Sequence, residues 1–185
     1  MTTSPVSPHS APRPHWSVLL FHWTMAALIL ATFIIGQVME DMPRAERLPV
    51  MGWHVLAGLA VLALFLPRIL AVKRDKSGTR TRPSGWTGKI AALMHGLLYL
   101  AMLILPLSGL MAVMTSGRNF PVIGLFSLPT FGDIEWLHDL AEDIHETLIP
   151  VLVVLVILHV VAALWHHFVV RDEVLARYLP GRKKR

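Results

Sequence analysis

This 185-residue chain has ten histidines and no cysteine. Without thiols it can form no disulfide, no thiolate-held iron–sulfur cluster or zinc, and no Cys-x-x-Cys-His attachment, so any metal must be bound by nitrogen or oxygen. Five of the histidines, His22, His54, His95, His159 and His166, lie in apolar surroundings, and a sixth, His145, lies just before the last apolar stretch. His145 and His159 are 14 residues apart. On a helix that separation returns to within roughly 40° of the same face, about 21 Å further along. His166 continues the stripe by seven residues, a further rise of about 10 Å. Imidazole is the commonest metal ligand and titrates near neutrality, so the pattern points to metal binding or proton handling inside an apolar medium.

The elements that must carry these side chains follow from hydropathy. The chain is 54% hydrophobic and only 16% charged, with a mean hydropathy of +0.56. A soluble domain has about a quarter of its residues charged. Four apolar stretches stand out, at 18–38, 51–72, 90–114 and 148–170, the last with an amphipathic lead-in from Trp136. Each is near or above the roughly 20 residues a helix needs to cross the hydrocarbon core. The predicted fold is an all-α membrane protein, a bundle of four transmembrane helices over residues 17–172. The first stretch lacks a small-residue cleavage site and is too long for a signal-peptide core, so it reads as a permanent span. Residues 1–16, with four prolines, read as a disordered lead, and 173–185 as a basic tail. Pro67, Pro106 and Pro150 fall within or at the ends of spans, where membrane helices tolerate them.

Charge sets the expected orientation. The first loop has two basic residues, Arg44 and Arg47, and the third has Arg118 among carboxylates. The second loop holds Lys73, Arg74, Lys76, Arg80, Arg82 and Lys89, and the tail is equally basic. The positive-inside rule puts the second loop and both termini in the cytoplasm and the first and third loops outside, giving a multi-pass membrane protein. The isoelectric point near 10.1 is therefore a topology signal. It does not indicate nucleic-acid binding, because the cations sit beside spans and against lipid headgroups with no aromatic binding module around them.

On this frame the histidines pair by depth across helices: His54 with His145 towards the outer surface, His22 with His159 towards the inner. A lone intramembrane histidine is ordinarily a hydrogen-bonded packing residue, but four at matched depths are too costly to keep without a role. Two opposed imidazoles from facing helices suit a b-type haem, and two haems stacked across the bilayer account for all four. Gly58, four residues after His54, would let a flat macrocycle approach the backbone. Arg68, 14 residues after His54, reaches the inner level, where a guanidinium could pair with a propionate; its bland alternative is snorkelling to the interface.

His22-Trp23, His54-Val-Leu-Ala-Gly58 with Arg68 following, Met94-His95 with Tyr99, His145-Glu146-Thr147-Leu148, Leu158-His159, His166-His167-Phe168 and the Tyr178-Leu179-Pro180 end together resemble the bacterial di-haem cytochrome b561 family over about residues 16–181. The resemblance implies the axial pairs His22 with His159 and His54 with His145, as depth does. It also implies kinship with the haem subunits of membrane formate dehydrogenases and nickel–iron hydrogenases, and with a superoxide oxidase that passes electrons to ubiquinone.

Bis-histidine ligation leaves iron no open position, so chemistry belongs at the ends of the wire. At the inner end His95 and His166, with His167, Arg80, Arg82, Trp86 and Lys89 nearby, suit a quinone headgroup that needs hydrogen bonds and a proton route. The outer end is acidic, which opposes steering of the superoxide anion; only Arg44, Arg47 and Arg118 could supply a positive spot. The leading expectation is an oxidoreductase linking a periplasmic one-electron donor, superoxide being the example, to the ubiquinone pool. The alternatives are a cytochrome b anchor subunit of a larger dehydrogenase or hydrogenase, and a metal-ion transporter; the spans lack the carboxylates that a transporter would want.

Overall fold

The computed structural model describes residues 13–75, 85–172 and 174–179. Most of the expected lead and the end of the tail lie outside them, as do Lys76, Arg80 and Arg82. Four long helices make up the body: α1 (Trp16–Glu40), α2 (Arg47–Arg74), α3 (Gly85–Met114) and α4 (Glu135–Trp165). The shortest has 25 residues, about 37 Å of helix against a hydrocarbon core of about 30 Å. All four are long and apolar enough to span a membrane. Side chains such as Leu30, Leu66, Leu93 and Ile157 are more than half exposed, which water would penalise heavily and lipid does not.

α1 packs on α2, α2 on α3 and α3 on α4, whereas α4 is not closely packed on α1 or α2 among the described residues. Inward-facing positions recur at spacings of seven or 14 residues: His54, Val61 and Arg68 in α2; His95, Met102 and Gly109 in α3; His138, His145 and His159 in α4, with His166 in the turn that follows it. Seven residues are nearly two turns, so one seam of each helix faces the bundle axis. Met25, Val61 and Met102 form a buried apolar layer with Leu28, Leu64 and Phe65 around it.

The ends of the bundle differ. Where α1 stops, a 3₁₀ turn (Arg44–Glu46) leads into α2, and Arg47 reaches back to the orphan carbonyls. Its Nε donates to Met42 O at 2.8 Å and its Nη2 to Glu40 O at 3.0 Å. Arg47, which the sequence offered as a loop cation, is therefore a C-terminal helix cap. Between α3 and α4 the chain makes an antiparallel hairpin, β1 (Phe120–Val122) and β2 (Phe126–Leu128), which hydropathy did not anticipate. Its turn has positive φ at Ile123 (44°) and Gly124 (75°) and is closed by Leu125 N donating to Val122 O at 3.0 Å. Two successive positive φ values match the strand twist of a tight hairpin but strain a β-branched residue. The strain is held by packing, since Ile123 presses on Gly52 at the start of α2 and Val122 is fully buried against Val113 and Phe120. Val122→Ala is expected to destabilise the protein by about 2 kcal/mol, from lost burial plus a residual cavity. Thermal unfolding in detergent checks this, and an unchanged midpoint would mean that the hairpin does not hold the bundle.

At the opposite end, a single π-type turn (His166–Val170) follows α4, and a short helix, α5 (Val174–Tyr178), folds back. Arg171 takes a left-handed conformation at φ 59°, Asp172 bonds His166 Nδ1 at 2.5 Å, and Val174 N donates to Asp172 Oδ1 at 3.0 Å. The start of the expected basic tail is thus an ordered element. The first and third loops lie at one end of the bundle, the hairpin end, and α5 lies with the last turn of α2 at the other, the terminal end.

Candidate haem-binding sites

The structure brings four of the histidines together as two facing pairs. The ring centres of His54 and His145 are 6.1 Å apart, and those of His22 and His159 are 6.4 Å apart. Metal–nitrogen distances near 2 Å set two imidazoles on one iron at roughly 6 Å between ring centres. Both spacings fit. The pairs bridge α2 to α4 and α1 to α4, the helices that are not in close contact, and the Met25–Val61–Met102 layer lies between the two levels along α1, α2 and α3.

At the hairpin end the two rings are held in the same way. His54 Nδ1 donates to Thr32 O at 3.0 Å, and His145 Nδ1 donates to Leu105 O at 2.9 Å. Donation through Nδ1 leaves Nε2 as the unprotonated nitrogen, the tautomer that a metal ligand requires. Each ring also rests on a glycine four residues beyond its acceptor. A Cβ on Gly36 would come within 3.3 Å of His54, and one on Gly109 within 2.9 Å of His145. Sequence reasoning missed both glycines; the signal was a glycine at the depth of a histidine on the neighbouring helix. It chose Gly58 instead, where a Cβ would meet nothing within 4 Å. The space beside α2 is open there, but no ring is seated in it.

The terminal-end level is more crowded. Besides His22, His159 has His95 as a neighbour, at 5.4 Å between ring centres. His95 is exposed and its Nδ1 donates within its own helix to Ala91 O at 2.6 Å. The shorter spacing is too tight for an iron between them. Arg68 has Nη2 3.2 Å from His22 Nδ1, its guanidinium lies 5.7 Å from the Tyr99 ring centre, and its Nε and Nη1 are buried with no hydrogen-bond partner among the described residues. Two buried orphan donors on a cation call for an anionic acceptor, and a propionate is of the right kind.

The floor of this level is α5. Trp23 Nε1 donates to Tyr178 O at 2.8 Å, Arg13 Nη2 donates to Leu179 O at 2.5 Å, and the Tyr178 ring lies 5.4 Å from that of His22. Burial raises the Tyr178 hydroxyl above the usual phenol range, against the opposing pull of Arg68, so it stays protonated. The place of Tyr178 was not legible in sequence beyond its position in a motif. His166 is tied to Asp172 through Nδ1, leaving Nε2 free to meet a ligand. Trp86 and Lys89 are exposed on the first turns of α3. At the hairpin end His138 Nδ1 donates to Ala112 O at 2.8 Å, and Arg44 and Arg118 are exposed.

A four-helix membrane bundle with paired imidazoles defines a haem-binding helical bundle. The comparisons with known proteins agree. The family model described as prokaryotic cytochrome b561 matches residues 13–181. The chain is 29% identical over 168 residues to cytochrome b561 homolog 1 of Escherichia coli, covering 89% of this chain and 96% of that protein. It is 32% identical over 170 residues to cytochrome b562 of Cereibacter sphaeroides, covering 89% and 93%. It is 28% identical over 164 residues to a probable superoxide oxidase of Yersinia pestis, covering 88% and 93%. The chain belongs to the prokaryotic cytochrome b561 family. It is a multi-pass, haem-b-binding membrane electron-transfer protein.

Proposed function

We propose that the chain holds two haems b, one between His54 and His145 and one between His22 and His159, and carries electrons between a one-electron donor at the hairpin end and ubiquinone at the terminal end. The observation that supports this most is the pair of imidazole couples at two levels of one bundle, each with the ring spacing of a bis-histidine iron. His22, His54, His145 and His159 would hold the haem, which when bound would supply one-electron redox chemistry. Arg68 offers its orphan N–H donors to a propionate, Thr32 and Leu105 orient the hairpin-end imidazoles, and the apolar layer excludes water between the levels.

By the positive-inside rule the terminal end is cytoplasmic and the hairpin end periplasmic, in a bacterial inner membrane. Ubiquinone takes up two electrons and two protons, and two one-electron donors supply the electrons. His95, exposed beside His159, and His166, tied to Asp172 through Nδ1, are suited to take a proton on Nε2 from the cytoplasmic side, donate it in a hydrogen bond to a quinone oxygen and pass it on as the quinone is reduced. Superoxide is the candidate donor because one relative carries that name; each superoxide would lose one electron and leave as dioxygen. The acidic hairpin end slows an anion and attracts a cation, so a cationic donor is the comparison to run.

The test is stopped-flow reoxidation of pre-reduced protein by a short-chain ubiquinone. His166→Ala is expected to slow it about tenfold or more, the size of a lost proton-transfer group or less, with both haem spectra intact. Unchanged rates in both His95→Ala and His166→Ala would refute the quinone placement. Fewer than two haems per chain would refute the di-haem reading.

A further inference from the structure

The two imidazole pairs have opposite electrical surroundings. Nine of the twelve acidic residues lie in 40–47 and 118–146, with only three of the seventeen basic ones, so the hairpin end is strongly negative; among the described residues the terminal end is positive, with Arg13, Arg68, Lys73, Arg74, Lys89, Arg171 and Arg177 against Asp75 and Asp172. The contrast continues beside the rings. At the hairpin end, Glu146 is the residue after His145, and both imidazoles donate Nδ1–H to carbonyl oxygens. A carbonyl acceptor makes the ring more electron-rich, which favours ferric iron. One of the cations there, Arg47, is committed to the end of α1. At the terminal end, the Arg68 guanidinium is 3.2 Å from His22, with two further buried N–H groups and no carboxylate partner among the described residues. A buried positive charge at that range favours ferrous iron.

We infer that these residues give the two haems unequal reduction potentials, the terminal-end haem having the higher, so that an electron entering at the hairpin end runs downhill to the terminal end. Arg68 is the principal positioning charge. This rests on the two-haem reading above. A propionate bound to Arg68 does not reverse the sign: without the guanidinium, the carboxylate would face the iron unpaired and disfavour reduction further. The loop charges that orient the protein by the positive-inside rule act in the same direction as Arg68.

The experiment is spectroelectrochemical titration of the purified holoprotein and of its single-haem variants. Single-haem forms exclude the mutual repulsion of two reduced haems, which would split even identical sites. The haem left in His54→Ala, at the terminal end, is expected to have the higher midpoint potential. It should exceed that left in His159→Ala by at least 59 mV, a tenfold preference for one electron. In the two-haem protein Arg68→Met should lower only the upper wave, by a similar factor, and Glu146→Gln should raise only the lower one. If Arg68→Met loses haem, Arg68→Lys and Glu146→Gln still decide, since the first keeps the charge and should keep the upper wave. Equal potentials in the single-haem variants, or a higher one at the hairpin end, would overturn the inference with two haems still counted. A count below two would fail the underlying reading instead.

Discussion

Replacing His159 by alanine should leave a protein with one haem in place of two, and His54→Ala should do the same at the other level. The reason is geometric. His159 and His145 lie on one helix 14 residues apart, and each faces a different partner, so removing one breaks a single pair and leaves the apolar layer and the second pair standing. If these pairs hold haem as proposed, loss of one imidazole would remove one of its two protein ligands. The affected haem is expected to go high-spin or to be lost, a fall in affinity of well over a hundredfold. A pyridine haemochrome assay counts the haems, and acid–acetone extraction should release all of them, since no cysteine can hold one covalently. The informative control is His95→Ala. His95 is exposed and its 5.4 Å approach to His159 is too short for an intervening iron, so both haems should stay low-spin. If His95→Ala loses a haem while His22→Ala keeps both, the terminal-end pairing is wrong.

The second large effect comes from one methyl group. Gly109 lies under the His145 ring, and a Cβ there would be 2.9 Å from Cε1 and 3.0 Å from Nδ1. The ring is tethered on that same side by Leu105 O at 2.9 Å and Ser108 Oγ at 3.3 Å, so it cannot yield without losing its orienting bonds. Gly109→Ala should push the imidazole out of line and cut hairpin-end haem occupancy at least tenfold, in keeping with the 1–3 kcal/mol usual for overpacking. The secondary structure should survive, because alanine favours helix over glycine. Gly36→Ala should be milder, because the His54 ring is 3.3 Å away and need shift only a few tenths of an ångström. The ratio of haem Soret to protein absorbance, with far-ultraviolet circular dichroism as the folding control, checks both. Full haem loading in Gly109→Ala would mean that the glycine seat is incidental.

The membrane class, the four spans and the two levels of histidine were determined by the sequence itself. Insertion depends on local hydropathy, and lipid forces each span to satisfy its own backbone, so a run of apolar residues has one stable form. Within such a helix a spacing of seven or 14 residues is already a statement about face and depth, which is why His54, Arg68, His145 and His159 could be placed by number. The loop charges likewise carried the electrical asymmetry between the two ends.

What only the tertiary structure decided depends on which helices are neighbours. The ring of His54 rests on α1 and that of His145 on α3, so the roles of Gly36, Thr32, Leu105 and Gly109 arise from contacts between distant segments. Neither periodicity nor composition ranks those glycines above Gly58. Both His22 and His95 have the right depth to face His159, and only packing separates them, setting one ring at 6.4 Å and the other at 5.4 Å. The hairpin forms because a strained Ile123 finds a seat on Gly52, and α5 turns back because Trp23 and Arg13 offer donors to its last carbonyls. Local propensity sets which segments become helices in lipid; close approach between chains far apart in sequence sets which side chain meets which, and that is a property of the packed bundle alone.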